Sequence, residues 1–413
     1  MCGRKHCFHH TSSHISTSKN QNVEFNSPKI WYPLIPFSWL YGAGVYVRNF
    51  LFDCGILKSA GFDIPVISVG NITVGGTGKT PMTEYLIRLL RTKHQVSIVS
   101  RGYKRQTKGY VRATENTHMS DIGDEPYQMK QKYPEIHVAV DEKRSRAITN
   151  ICQADVTPPT DVVLMDDGFQ HRYVQPGINI LLMDYNRLPH TDFLLPAGKL
   201  REPKSSCRRA DIVIVTKCPG DITPTEEHGI ERSLNLQPWQ KLFYSHYGYG
   251  NLVPMRNYID PLNDYSDFSF SKPQDITLDD LKANKYNVVL LTGIASPHQL
   301  ESDFRQFCQF TPIRFEDHHN FTKKDIDLIA SKTKQSESGN TIVVTTEKDA
   351  MRLIEYMRNN PGDDAEFIRN RYQDFYVLPV EVKFMKEKQD EFNQIILSYV
   401  QKNSRTSTLS KRL

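Results

Sequence analysis

The chain has 413 residues, 38% of them hydrophobic and 24% charged, enough for two or more globular domains. Its net charge of +5 sits at the two ends rather than along the middle, which excludes a nucleic-acid-binding protein with a basic stripe through its folded core. Seven cysteines without a C-x-x-C pair exclude a disulfide framework or a structural zinc site, so a reducing compartment, the cytosol, is expected.

Residues 1–27 are polar, rich in His, Ser and Asn, and without periodicity. They read as a disordered extension, a nonspecific His-rich tail rather than a metal site or a signal peptide. Residues 28–62 carry a helix from Ser38, with Leu40, Ala43, Gly44, Val47, Leu51 and Cys54 at helical spacing. Ile30–Val47 is uncharged but interrupted by Pro33, Pro36, Gly42 and Gly44, which argues against a transmembrane helix. Trp31, Tyr32, Trp39, Tyr41 and Tyr46, flanked by Arg48 and Lys58, fit a helix lying in a membrane interface. A helix packed on the domain core is the competing reading, and different faces can satisfy both.

From residue 63 to 235, strand and helix patterns alternate. Pro65–Val69, Val96–Ser100, Ile136–Val140, Asp161–Met165, Ile178–Met183 and Ile212–Thr216 read as short buried strands, and Thr80–Thr92 as a helix. This predicts a three-layer α/β/α domain with a parallel sheet, of the P-loop NTPase type. The pattern weakens between 235 and 285, where Gly and Pro recur. It resumes with Asn287–Thr292, Ile313–Phe315, Thr341–Thr345 and Phe375–Val382. A second, smaller α/β domain is therefore expected over 236–385, and a closing helix with a basic tail over 386–413.

The chemistry is concentrated at two strand ends. The first strand runs into Val74-Gly75-Gly76-Thr77-Gly78-Lys79-Thr80, and a helix follows. Glycines 75, 76 and 78 let backbone N–H groups turn around phosphate oxygens, and the helix N-terminus faces the same anion. Lys79 can reach the β- and γ-phosphates of ATP, Thr80 can ligate Mg²⁺, and Thr77 adds to the cradle. Thr73 stands where the usual loop has its first glycine, so the loop must enter differently. Val74 stands where a related class of membrane-surface ATPases carries a signature lysine. At the second strand end, Asp166 and Asp167 are placed to hold Mg²⁺. Gly168-Phe169-Gln170-His171-Arg172 and Leu195–Pro203, with Arg201 and Glu202, add polar groups able to present a guanidinium to phosphate. Arg144 and Arg146 follow Asp141-Glu142-Lys143 and read either as an anion site or as a basic helix start.

Together Ser68–Pro81, Ser100–Tyr103, Gly123–Pro126, Asp166–His171, Leu195–Pro203, Phe315–Phe321 and Thr345–Ala350 resemble the tetraacyldisaccharide 4′-kinases, in that family's order. The resemblance implies ATP-dependent transfer of the γ-phosphoryl group to the 4′-hydroxyl of tetraacyldisaccharide 1-phosphate, giving lipid IVA in lipid A biosynthesis. It implies an active site in a cleft between two α/β domains and a peripheral position on the cytoplasmic face of the bacterial inner membrane. No nucleic acid and no obligatory protein partner are expected. Asp124 is implied as the base, paired with a histidine of Asp317-His318-His319: His318 directly follows the Asp, and His319 is the alternative. Gln170, His171, Arg201 and Glu202 are implied to line the site near phosphate, Mg²⁺ or sugar. Arg144 and Arg146 are candidates for the substrate's anomeric phosphate, and Thr346–Asp349 for a structural role. Two other functions fit parts of the sequence: a membrane-surface ATPase acting through protein partners, and a soluble sugar or nucleoside kinase.

Overall fold

Short β-branched runs need both faces covered, and here they line up side by side. The computed structural model describes residues 30–404 apart from 154–156, 259–274, 284–285, 295–296, 335–339, 361–367 and 369–373. The expected extension over 1–27 and the end of the basic tail lie outside the described residues.

The first part of the chain forms Ile35–Asp53 (α1), Val66–Gly70 (β1), Lys79–Leu90 (α2), Val96–Ser100 (β2), Val111–Arg112 (β3), Met119–Ile122 (α3) and Asp124–Lys132 (α4). His137–Val140 (β4), Arg144–Gln153 (α5), Val162–Asp166 (β5), Ile178–Asp184 (β6), Ile212–Thr216 (β7), Pro224–Leu234 (α6) and Lys241–Tyr249 (β8) follow. The second part contains Val253–Pro254 (β9), Leu278–Lys282 (α7), Asn287–Thr292 (β10), Pro297–Phe304 (α8), Phe310–Arg314 (β11), Lys323–Lys334 (α9), Thr341–Thr346 (β12) and Glu347–Asn359 (α10). Phe375–Leu378 (β13), Val380–Phe384 (β14) and Gln389–Asn403 (α11) complete it.

The large sheet has the order β14-β8-β7-β6-β1-β5-β2-β4-β3, and the small one β11-β10-β12-β13-β9. The large sheet is parallel from β8 to β4, with antiparallel β3 and β14 at its edges. Every residue of β1, β2, β5 and β7 is buried, as a sheet covered on both faces requires. β1 lies between β5 and β6, so the phosphate loop leaves the sheet where the strand order reverses, the usual place for a ligand crevice in such sheets.

Sheet membership does not follow the expected boundaries at 235/236 and 385/386. β8 belongs to the large sheet, and so does β14. The run Phe375–Val382, read as one strand, is two: β13 pairs with β12 in the small sheet, and β14 pairs with β8 in the large one. Pro379 separates them; with no N–H to give, it ends one ladder and lets the chain change sheets. α11 then packs on the large sheet. Phe384 and Phe392 lie 4.5 Å apart, Tyr85 of α2 is 5.4 Å from Phe384, and the Tyr85 hydroxyl donates to Asn393 Oδ1 at 2.7 Å. One apolar cluster joins Met82 and Leu86 of α2 and Tyr127 and Met129 of α4 to Leu291 of β10 and Leu353 and Ile354 of α10. The two sheets thus share a core, with α4 and α10 between them.

α1 shows two faces. Ser38 and Phe52 are buried, and the Ser38 hydroxyl donates to Leu194 O at 2.9 Å. Arg48 donates to Gln170 O at 2.7 Å. A Cβ on Gly42 would lie 2.8 Å from Leu194 Cδ1, so a small residue is needed there. Leu40 and Val47, part of the stripe seen in the sequence, are instead 75% and 54% exposed. The helix packs through Ser38, Gly42 and Arg48 and, near its end, through Phe52, and leaves Trp39, Leu40, Tyr46 and Val47 outward. Among the described residues, no helix is long and apolar enough to cross a membrane.

Candidate active site

The phosphate loop takes its shape from two glycines and a neighbouring strand-like segment. Gly75 and Gly78 have φ of 111° and 86°, conformations that favour glycine. A Cβ on Gly78 would also meet the Tyr247 hydroxyl at 2.5 Å. Thr73, in the place of the usual glycine, pairs in antiparallel fashion with Leu200. Val74 N–H donates to Lys199 O at 2.8 Å and Arg201 N–H to Ile72 O at 2.7 Å. The loop therefore enters extended, zipped to the Leu-Arg-Glu-Pro segment, where the common loop would turn. Inside it, Asn71 Nδ2 donates to Thr77 Oγ1 at 2.7 Å, and the Thr216 hydroxyl donates to Thr77 O at 3.0 Å.

The zipper brings Arg201 to the second strand end. Its Nη1 lies 3.0 Å from Asp167 Oδ2 and 3.4 Å from Gln170 Oε1. Lys79 Nζ lies 3.6 Å from Asp167 Oδ1. Burial opposes ionisation of Asp167, but Lys79 and Arg201 outweigh it and hold its carboxyl below the usual range. Asp166 is buried, takes a 3.3 Å bond from the Thr83 hydroxyl, and is pushed up to about 7 by burial and by the charge of Asp167. Glu125 also raises it, so the cluster and the start of α4 sense each other.

Gln170 donates to Asn71 O, tying the Asp-Asp-Gly-Phe-Gln-His turn to the loop entry. Glu202 is buried; Oε2 accepts from Arg209 Nη2 at 2.6 Å, and Arg48 of α1 lies 4.0 Å from Oε1. His171 is lowered to about 4 by burial and by Arg144, Arg48 and Arg101, so it is neutral. The two arginines of α5 separate. Arg146 is engaged by Asp141 through two bonds of 2.6 and 2.8 Å, whereas Arg144 is buried with Nε unpaired.

The acceptor side forms where the sheets meet. Gly123, φ 89°, caps α4, and a Cβ there would meet Tyr103 O at 2.7 Å. The Gly-Asp-Glu-Pro and Arg-Gly-Tyr segments thus pack backbone on backbone, and Asp124 opens the helix. His318 Nδ1 lies 2.9 Å from Asp124 Oδ2, whereas His319 is 2.9 Å from Asp325 and stacks on Phe315 at 4.6 Å. Lys348 Nζ, a donor only, is 3.2 Å from His318 Nε2, which leaves the proton on Nδ1 to donate to Asp124. Burial works against the Asp124 carboxylate, but the bonds from His318 and Arg352 and the charges of Arg352 and Lys348 hold its carboxyl far below the usual range.

Sequence reasoning did not single out three residues of this site. Lys217 at the end of β7 donates to Gly76 O of the loop and lies 2.8 Å from Asp184. Arg187 donates to Val74 O at 2.8 Å. Arg352 on α10 bonds Asp124 at 2.6 Å. Lys217 closes an apolar strand just as Asp166 does, a signal that was legible. The other two carried none, because their partners are 113 and 228 residues away.

A parallel sheet with a phosphate loop at its switch point, two carboxylates on the adjacent strand and a carboxylate–imidazole pair across from them define a phosphoryl-transfer enzyme of the P-loop type. The family described as Tetraacyldisaccharide-1-P 4′-kinase matches residues 30–401, and the chain belongs to it. It is 47% identical over 389 residues to a tetraacyldisaccharide 4′-kinase of Phocaeicola vulgatus, covering 94% of this chain and all of that one. It is 39% identical to the enzyme of that name from Flavobacterium johnsoniae, over 90% of this chain and 97% of that one. The crystal structure of LpxK from Aquifex aeolicus in complex with ATP superposes with a TM-score of 0.64 at 28% identity, covering 89% of this chain and 99% of that one.

Proposed function

We propose that the chain transfers the γ-phosphoryl group of ATP to the 4′-hydroxyl of a tetraacyldisaccharide 1-phosphate. Family membership supports the reaction, and the 2.9 Å contact between Asp124 and His318 across the two sheets is the observation that carries the mechanism. Lys79 and the backbone of the Gly75-Gly76-Thr77-Gly78 turn, itself braced by the Thr77 N–H bond to Gly75 O at 3.0 Å, bind the β- and γ-phosphates.

Asp166 is a desolvated carboxylate held among the described residues by one 3.3 Å bond from Thr83, and Thr80 supplies a hydroxyl at the start of α2, next to Lys79; these hard oxygens fit Mg²⁺. Among the described residues, no group of three His, Cys, Asp or Glu side chains could hold a metal alone. When bound, Mg²⁺ neutralises charge on the phosphate oxygens. Asp167, drawn to Lys79 and Arg201, keeps both cations aimed at the phosphate side, and Gln170 holds Arg201 in place. Arg144, buried with an open donor, and neutral His171 are suited to an anionic or hydroxyl-bearing part of the lipid. Glu202 supports this wall from behind through Arg209. Asp124 accepts the sugar hydroxyl's hydrogen bond and then its proton, and His318 fixes the carboxylate's orientation.

The outward face of α1, with Trp39, Leu40 and Tyr46, and Trp31 just ahead of the helix, each more than 65% exposed, supports docking on a lipid surface where the substrate resides. A peripheral position on the cytoplasmic face of the inner membrane, without an obligatory protein partner, follows from this reading. So does a division into a kinase unit around the large sheet and a smaller unit around the other.

The test is transfer of labelled γ-phosphate to the tetraacylated disaccharide 1-phosphate in micelles. Wild type should label the lipid, Lys79→Ala should not, and Asp124→Ala should bind ATP yet lose about a hundredfold or more in kcat. ATP hydrolysis by wild type without labelled lipid would point instead to an ATPase working through partners.

A further inference from the structure

α10 starts directly at the end of β12, and its first turns connect the two sheets. The Asp349 carboxylate accepts from Gly293 N–H at 2.8 Å and from the Thr346 hydroxyl at 2.7 Å, so it is fixed to the small sheet. Arg352 lies one turn further on and is 97% buried. One nitrogen of its fork, Nη1, reaches Asp349 Oδ1 and Gly293 O, each at 3.3 Å. The other edge, Nε and Nη2, reaches Asp124 Oδ2 at 3.3 and 2.6 Å, and Nη2 is 3.0 Å from His318 Nδ1.

Burial pushes the Asp349 carboxyl up, and its distance to Arg352 is the longer one, so Asp124 is the principal counter-charge of this buried guanidinium. A planar fork can bond along two edges at once; an ammonium cannot. We infer that Arg352 is a positioning residue for phosphoryl transfer: anchored on the small sheet by Asp349 and Gly293, it holds Asp124 and His318 in register and keeps the carboxylate ionised. The inference rests on the reading of Asp124 and His318 as the pair that receives the acceptor hydroxyl.

Its chemical consequence is specific. A carboxylate bonded to a buried guanidinium is a weak base but a well-oriented acceptor. In a loose transition state, where little covalent bonding to the nucleophile has developed, orientation matters more than basicity. The groups around Asp124 are the His318 imidazole, which donates to it, and the cations Arg352 and Lys348, with Glu125 and Asp317 at 3.4 and 3.5 Å from Lys348. Without Arg352, only His318 and Lys348 oppose burial. The ionised form is then lost at a higher pH, because removing a cation raises a carboxyl's pKa.

The experiment is steady-state kinetics of the full chain with ATP and the micellar lipid, as a function of pH, for wild type, R352M, R352K, D349N/R352M and D124A. R352M should lower kcat by about tenfold to a hundredfold, leave KM for ATP within about twofold, and raise the Asp124 carboxyl from far below the usual range, so that an acid limb absent from the wild-type kcat/KM profile enters it. R352K should remove that limb but restore only part of kcat, since it returns the charge without the fork. D349N/R352M removes the buried carboxylate that R352M would strand, and should repeat the R352M kinetics in a fully folded protein.

Wild-type kcat and a wild-type acid profile in R352M, or in the double variant should R352M not fold, would overturn the role of Arg352. So would an equal loss of ATP binding in every Arg352 variant, which would mark the residue as structural only. An active D124A would instead overturn the reading of Asp124, and these results are distinguishable.

Discussion

A lysine can shape a phosphate site without touching phosphate. The Lys217 ammonium bonds Gly76 O and so pins the loop peptide whose N–H, on Thr77, donates to Gly75 O at 3.0 Å, and Asp184 holds the ammonium at 2.8 Å. Losing a hydrogen bond of this charged kind costs about 1.5–3 kcal/mol, so Lys217→Met should raise KM for ATP about tenfold. kcat at saturating ATP should change little, and Lys217→Arg should recover part of the affinity. Isothermal titration with ATP checks this; wild-type affinity in Lys217→Met would mean that the loop holds its shape unaided. Among the site residues, Lys79, Asp166 and Asp167 were legible because their signal is local: a glycine-rich turn and carboxylates at a strand end. The preference for His318 over His319 rested on adjacency to Asp317 alone, and the geometry that separates them is long-range. His318 meets Asp124 from 194 residues away, while His319 turns to Asp325, six residues on.

At the scale of elements, α1 inverts the usual arrangement of an amphipathic helix on a globular protein. Ser38 and the Tyr41 hydroxyl bond the Leu194–Arg201 segment, and Trp39 and Leu40, 72% and 75% exposed, face outward. Replacing both with Glu removes nothing from the packed side, so the thermal midpoint should hold. Partition onto anionic phospholipid vesicles should fall about tenfold to a hundredfold, the loss of one or two buried apolar side chains. Flotation measures this, and unchanged flotation would remove α1 from the membrane contact. Periodicity revealed the helix but not which stripe was buried. A stripe of Leu and Val reads as core unless a lipid surface competes for it.

At the scale of the molecule, a buried ion cluster joins the nucleotide and acceptor halves. Lys132 of α4 meets Glu84 of α2, and Glu347 of α10 at 2.5 Å. α2 follows the phosphate loop, α4 begins with Asp124, and α10 carries Lys348 and Arg352, so one ammonium ties together the helices that set both ends of the transfer path. Lys132→Met strands two buried carboxylates and should cost about 3–5 kcal/mol, read from denaturant midpoints at neutral pH. Burial and the charge of Glu84 push Glu347 up to about 7, against an ordinary value of 4.5. Its folded value lies above the unfolded one, so stability falls as pH rises from 4.5 towards 7. The Lys132→Met defect should therefore shrink on acidification, and Glu347→Gln should remove that slope from the wild type; an unchanged slope would place the titration elsewhere.

The sequence by itself determined the class of fold, the phosphate loop and the carboxylate strand end, because each depends on residues within a dozen positions: β-branched runs, glycines that permit a turn, acids after an apolar strand. It also carried the family, through short motifs in a fixed order. Only the tertiary structure decided how these pieces meet. Pro379 sends one apparent strand into two sheets, and Thr73 zips to Leu200 where a glycine would have turned the chain. Asp124, His318 and Arg352 converge from three distant segments. Local propensity governs where the backbone extends or turns, whereas the pairing of charges is settled by burial, which removes water as the alternative partner.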